Sequence, residues 1–179
     1  FSDSITFPAN GYYMIKWSSC CRNGAIINMA NPLSESMTFL TYVNVDSANP
    51  NSSPTFLTPP VSYLPANTVW QYNPLPFDPD GDSLVWHLSV PLSGGFGTSI
   101  PSVVNGYQYL SDTTYSNATG IFSMDSITGE ITWDAKMAGN FVASFAIEEY
   151  RNGVLVGAMS RDMQFVVLPD TSNAMPVIS

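Results

Sequence analysis

The chain has 179 residues, enough for one domain of good size or one domain and part of another. Five Lys and Arg stand against 14 Asp and Glu, a net charge of -9, which makes nucleic acid and anionic membrane poor partners and divalent cations natural ones. Only 11% of residues are charged, so solubility rests on 23 Ser, 13 Thr and 14 Asn; with 13% aromatics and 14 Pro, this composition belongs to extracellular β-proteins rather than cytosolic enzymes.

In chain order, the start at Phe1, without initiator Met or signal peptide, reads as that of an excised or processed piece. Residues 12–17 are a β-rich run entered from Asn10-Gly11. Cys20-Cys21-Arg22-Asn23-Gly24 is expected to turn, residues 25–29 to return as a strand, and residues 39–45 to form a third strand. Residues 46–54 read as a linker rich in Asn, Ser and Pro. Residues 68–72 are a strand entering an acidic loop. After it, Leu84, Trp86, Leu88 and Val90 alternate with Ser83, Val85, His87 and Ser89, a strand with one apolar face. Residues 94–120 are a long excursion rich in Gly, Ser, Thr and Tyr, with a small hairpin expected over 103–109. Residues 122–133 are strand, tight turn, strand. Phe141, Ala143, Phe145 and Ile147 face the core, Tyr150-Arg151-Asn152-Gly153 turns, and residues 154–158 and 161–168 complete the sheet. No apolar period of 3.6 holds for three turns and no apolar run spans a membrane, so many short strands between turn signals predict an all-β, Ig-like antiparallel β-sandwich.

The acidic loop is Phe77-Asp78-Pro79-Asp80-Gly81-Asp82. Carboxylates at alternate positions of a tight turn can converge on one hard cation, and oxygen donors suit calcium. An ordinary acidic turn uses the same residues, though it does not need three acids. It is no EF-hand, because the twelfth position holds Ser89 and no helix flanks it. Glu149 keeps the parity of Phe141, Phe145 and Ile147, so it is expected to point inward at a strand end, where a bare acid is costly.

Internal similarity sets the domain expectation. Arg22-Asn23-Gly24 and Arg151-Asn152-Gly153 lie 129 residues apart, as do Ala9-Asn10-Gly11-Tyr12 and Ala138-Gly139-Asn140-Phe141. Asn51-Ser52-Ser53-Pro54 also matches Asn173-Ala174-Met175-Pro176. Such recurrence predicts an array: residues 1–48 as the last strands of an upstream repeat, 49–170 as one whole sandwich, and 171–179 as the lead into the next. The hairpin over residues 12–29 is then expected to copy that over 141–158.

The acidic loop, the turn Asp125-Ser126-Ile127-Thr128-Gly129-Glu130-Ile131 and the strand ending Glu148-Glu149 resemble the cadherin-like repeat in its bacterial, dystroglycan-type form. The resemblance covers residues 43–170 and implies a calcium site on Asp78, Asp80, Asp82 and Glu149, where consecutive repeats join. Residues 43–56 are similar to the linker of that family but lack its run of acids and amides. Cys-Cys-Arg-Asn-Gly and Glu-Tyr-Arg-Asn-Gly also look like segments of very large surface proteins of gliding Bacteroidota, which implies type IX secretion and a cell-surface location.

Other residues carry alternatives. Cys20 and Cys21 are the only cysteines; they read as two thiols, as half-cystines to other segments, or as a vicinal disulfide, although neighbouring Cα atoms lie about 3.8 Å apart, below the usual disulfide span. An exporting compartment favours bridging. His87 is the sole histidine, on the polar side of its strand, and no nucleophile turn accompanies it, so no enzyme is expected. Trp17, Trp70, Trp86 and Trp133 lie in strand patterns and are expected in the core. Tyr107, Tyr109 and Tyr115 in the excursion are the recognition face of the alternative reading, a carbohydrate-binding module. Six of ten Asp precede Ser or Thr, where chance gives about two. In Bacteroidota this resembles an O-glycosylation signal, which places sugar at Ser4, Ser47, Thr113 and Ser126; Asn51 and Asn117 fit the N-glycan pattern. The leading expectation is a calcium-stiffened, non-enzymatic module of a repetitive surface protein. Its partners would be neighbouring repeats, surface glycans or other cells.

Overall fold

The structure, a computed structural model, describes residues 5–94, 97 and 100–169. In chain order, β1 (Gly11–Ser19) and β2 (Met37–Val45) come first, with a single 3-10 turn (Pro32–Ser34) between them. Then come β3 (Thr55–Phe56), β4 (Val61–Pro65), β5 (Val69–Tyr72) and β6 (Pro76–Phe77), and β7 (Ser83–Ser89) leaves the acidic loop. The excursion holds β8 (Leu92–Ser93), β9 (Ser102–Val103) and the helix α1 (Thr113–Thr119); β10 (Phe122–Met124), β11 (Ile131–Asp134), β12 (Gly139–Arg151) and β13 (Val154–Leu168) follow.

The long pair β12 and β13 is the spine. Its turn is Asn152-Gly153 with both φ positive, at 52° and 78°, the hairpin geometry that favours Asn-Gly. β7 pairs along the other edge of β12. The free edge of β13 is shared: β2 pairs at residues 157–159, and β4 runs parallel at residues 164–168. Between these two, the Ser160 hydroxyl donates to the Leu40 carbonyl and accepts from the Leu40 N–H at 2.7 Å, which satisfies the backbone where β2 parts from the sheet. A second sheet, β10-β11-β5, covers the inner face. Antiparallel β7-β12-β13 facing β5-β11-β10, with β4 running parallel to the last strand β13, is an Ig-like sandwich.

Strand alternation selects the core. Phe141, Phe145, Ile147, Phe165 and Trp133 are completely or almost completely buried, and Trp86 is 2% exposed. Edge-on ring contacts lock them, with Trp133 to Phe141 at 5.2 Å and to Phe165 at 5.4 Å. Each such side chain contributes roughly 1.5–3 kcal/mol by burial.

Three expectations fail here. Residues 25–29 do not return as a strand: β1 pairs instead with β2, and residues 20–36 leave as a flap over the outer face of the main sheet. The reason lies in their side chains, for Ile26 and Met29 pack with Val104 and Val142 in a second apolar cluster. There β7 has ended opposite Ser144, and the flap takes over the bare edge of β12. Asn28, fully buried, accepts from the Val142 N–H at 2.9 Å and donates to its carbonyl at 2.8 Å. Residues 103–109 form no hairpin; only the two residues of β9 pair, with β8, and a seven-residue helix follows. Trp17 is not in the core but 51% exposed, stacked on Phe39 at 5.6 Å across the β1–β2 pair. The linker match at residues 173–176 lies outside the described residues.

Candidate functional site

At one pole of the sandwich the acidic loop meets the end of β12. Asp78 folds the loop on itself: its Oδ1 accepts the N–H groups of Asp80 at 2.9 Å and Asp82 at 3.0 Å. Gly81, at φ 79°, supplies the left-handed residue the turn requires. Its sister atom, Asp78 Oδ2, is buried without a partner.

Glu149 is fully buried, as its parity requires. Across the ladder stands Gly157, where a Cβ would lie 2.7 Å from Glu149 Oε2, so a larger residue there would have to displace the carboxylate. The Asn51 amide donates to Oε2 at 2.7 Å, and Oε1 is buried with no partner. Burial holds this carboxyl above the usual range; the Asn51 hydrogen bond opposes that, and the charges of Asp78, Asp82 and Asp80 add to it. One oxygen each from Asp78, Asp82 and Glu149 lie within 4.8 Å of one another. Asp80 turns aside, its Oδ2 accepting from the Ser52 N–H at 2.6 Å.

Arg151 is the residue that sequence reasoning missed. Its Nε and Nη2 grip Asp82 at 2.8 and 2.7 Å, Nη2 lies 3.3 Å from Asp80, and further bonds reach Asn51 Oδ1 and the Pro50 carbonyl. The available signal was its position two residues past Glu149 on the same strand, in a chain with only five Lys and Arg. The donor set fits a hard cation: one carboxylate oxygen each from Asp78, Asp82 and Glu149 can converge on it.

The remaining candidates are scattered. Cys20 and Cys21 are joined by a disulfide across a cis peptide bond. Ser47 and Ser126 are exposed at turns, Thr113 is exposed at the start of α1, and Ser4 lies outside the described residues. The aspartates before them serve the fold: Asp46, Asp112 and Asp125 accept the N–H two residues on, from Ala48, Thr114 and Ile127 at 2.9, 2.8 and 2.9 Å. His87 is exposed, with Nε2 at 3.2 Å from Glu148, whose same oxygen takes the Tyr150 hydroxyl at 2.8 Å. Tyr107, Tyr109 and Tyr115 are each half-buried and do not share one cluster. Tyr107 packs on the flap cluster, its ring edge-on to Tyr109 at 5.1 Å, and Tyr115 packs against the main core.

No family model matches the chain, and no curated protein matches it. Among solved structures, one likeness is to the N-terminal four Ig domains of Dscam1 isoform 4.44, at 10% identity and a TM-score of 0.29, covering 75% of this chain and 33% of that one. The chain thus spans about a third of that structure's chain.

Proposed function

We propose that the chain is a non-enzymatic extracellular module of a repetitive surface protein, and that calcium stiffens it at the pole of Asp78, Asp82 and Glu149. The observation that carries this reading is the fully buried Glu149, whose Oε1 has no partner, at the same pole as the equally orphaned Oδ2 of Asp78, with one oxygen of each residue within 4.8 Å of the other. A native chain does not ordinarily leave two buried carboxylate oxygens unsatisfied at one pole. A divalent cation would satisfy both and offset the burial of Glu149. Its role is mechanical, because the pole ties linker residues 50–52 to the end of β12 and to the loop before β7. Neighbouring repeats of the same polypeptide are the partners this geometry would brace. Exposed Ser47, Thr113 and Ser126 are the positions for O-linked sugar, which the intact mass of protein from its native host would reveal.

The test is a pair of thermal melts, one with a few millimolar calcium and one with chelator, on wild type and Glu149→Gln. Wild type should gain several degrees with calcium and the variant should gain none. Equal wild-type melts in the two buffers would reduce the acidic loop to an ordinary turn.

A further inference from the structure

The surroundings of Arg151 are those of a metal ion. Its guanidinium faces five oxygens: Asp82 Oδ1 at 2.8 Å and Oδ2 at 2.7 Å, Asp80 Oδ2 at 3.3 Å, Asn51 Oδ1 at 2.9 Å and the Pro50 carbonyl at 3.1 Å. Two carboxylates, a side-chain amide oxygen and a backbone carbonyl make the donor set that a hard divalent cation collects. An ordinary surface ion pair involves one acid and water.

Asn51 divides the pole. Its Oδ1 accepts from Arg151, while its Nδ2 donates to Glu149 Oε2 at 2.7 Å. On the arginine side the acceptors named above each have a donor. On the other side Asp78 Oδ2 and Glu149 Oε1 have none, and both are buried. Asp82 belongs to both halves: it grips Arg151, yet one of its oxygens lies within 4.8 Å of those of Asp78 and Glu149. Each carboxylate oxygen has two lone pairs, so it can serve both. Four acids against one arginine leave charge for a single further dication beside the guanidinium.

We propose that the pole contains two adjoining cation positions and that Arg151 permanently fills the second. The wild-type chain then takes one divalent ion, on the Asp78–Glu149 side. Removing the guanidinium opens the position formed by Asp80, Asp82, Asn51 and the Pro50 carbonyl to a second ion. The Arg151 side chain is 26% exposed, and a cavity of about 290 Å³ borders it and Asn51, so the guanidinium's position is open to solvent. The first ion rests on the calcium reading above; the second position stands on its own five oxygens. The built-in cation holds linker residues 50–51 on the strand end even without metal.

The experiment counts calcium ions per intact chain, by calorimetry with calcium chloride and by native mass spectrometry, for wild type and Arg151→Gln. One ion in wild type and two in the variant, a twofold change in stoichiometry, is the expected result. Two ions in wild type, or one in both proteins, overturns the proposal. No ion in wild type with one in the variant upholds the arginine position and refutes the calcium reading of the other half; none in either sinks both. Should Arg151→Gln not fold, the wild-type Arg151 Nε–Hε resonance decides. It should persist, protected from exchange, through calcium saturation, and its release at one equivalent would show that the ion displaces the arginine.

Discussion

Two regions of this molecule set an arginine against a buried aspartate, and they differ in what is left over. Under the flap, Arg22 and Asp162 meet at 2.7 Å with side chains 2% and 6% exposed. Every branch of that guanidinium is used, for Nε donates to the Ser36 carbonyl at 3.1 Å and Nη2 to that of Leu92 at 2.9 Å. Burial pushes the Asp162 carboxyl up, while Arg22 and the Ser144 hydroxyl pull it back. At the pole, Arg151 is satisfied as fully, but Glu149 beside it has only an amide to oppose its burial and three aspartates that worsen it. A completed buried pair fastens the flap and is structure. An uncompleted one points to a ligand.

The largest expected effect breaks the completed pair. Arg22→Ala strands Asp162 in the second core and should cost about 3–5 kcal/mol in urea unfolding, equally with calcium and with chelator. A loss below about 1 kcal/mol would mean the flap packs without its ion pair. Gly157→Ala comes next. It drives a methyl into the Glu149 carboxylate and should cost roughly 1–3 kcal/mol while abolishing the calcium response. Full retention of that response would move the ion away from Glu149.

Calcium itself should add less. Extracellular modules bind it with dissociation constants of about 0.1–1 mM, so a few millimolar stabilises by about 1–2 kcal/mol per site. Glu149→Gln sharpens the contrast with the flap. The neutral amide relieves a buried charge, so in chelator the variant should melt no lower than wild type, whereas Asp162→Asn should melt lower in both buffers. A Glu149→Gln variant that loses stability in chelator would show Glu149 to be a completed structural acid after all.

What the sequence made legible follows strand parity. Period-two alternation fixed the inward faces of β7 and β12, and the same parity sent Glu149 inward with Phe145 and Ile147. Arg151 was not legible as the loop's counter-cation, because residues 50–51, 80–82 and 151 meet only after three chain segments converge. Identical tripeptides also took different shapes. Asn152-Gly153 makes the tight hairpin turn, whereas at Arg22-Asn23-Gly24 Asn23 holds the Ala25 N–H at 3.0 Å and Gly24 packs against Leu33. Trp17 and the excursion tyrosines show the same limit, since strand alternation names two faces and tertiary packing decides which of them is covered.

The smallest effect concerns a third kind of acid, exposed yet satisfied. Asp125 accepts the N–H groups of Thr128 at 2.7 Å and Ile127 at 2.9 Å and the Thr128 hydroxyl at 3.0 Å, and these bonds hold its carboxyl below the ordinary value of 3.8. Asp46 is lowered too, by the Asn49 amide first and the Ala48 N–H second. A carboxyl lowered on folding contributes stability above its unfolded value and loses it as pH falls through the folded one. Asp162, raised by burial, acts in the opposite sense: the unfolded chain ionises it more readily, so acidification from its folded value down to the unfolded value near 3.8 favours the fold. In chelator, melting temperature should therefore hold or rise slightly as pH first falls below neutrality, then drop once the turn aspartates protonate below about 3.8. Asp125→Asn keeps an acceptor oxygen without the charge, so its deficit relative to wild type should be present at neutral pH and shrink below pH 4. A deficit that stays constant from pH 7 to 2 would mean that the turn on Trp86 is held by Gly129 and backbone bonds alone, with no share from the Asp125 charge.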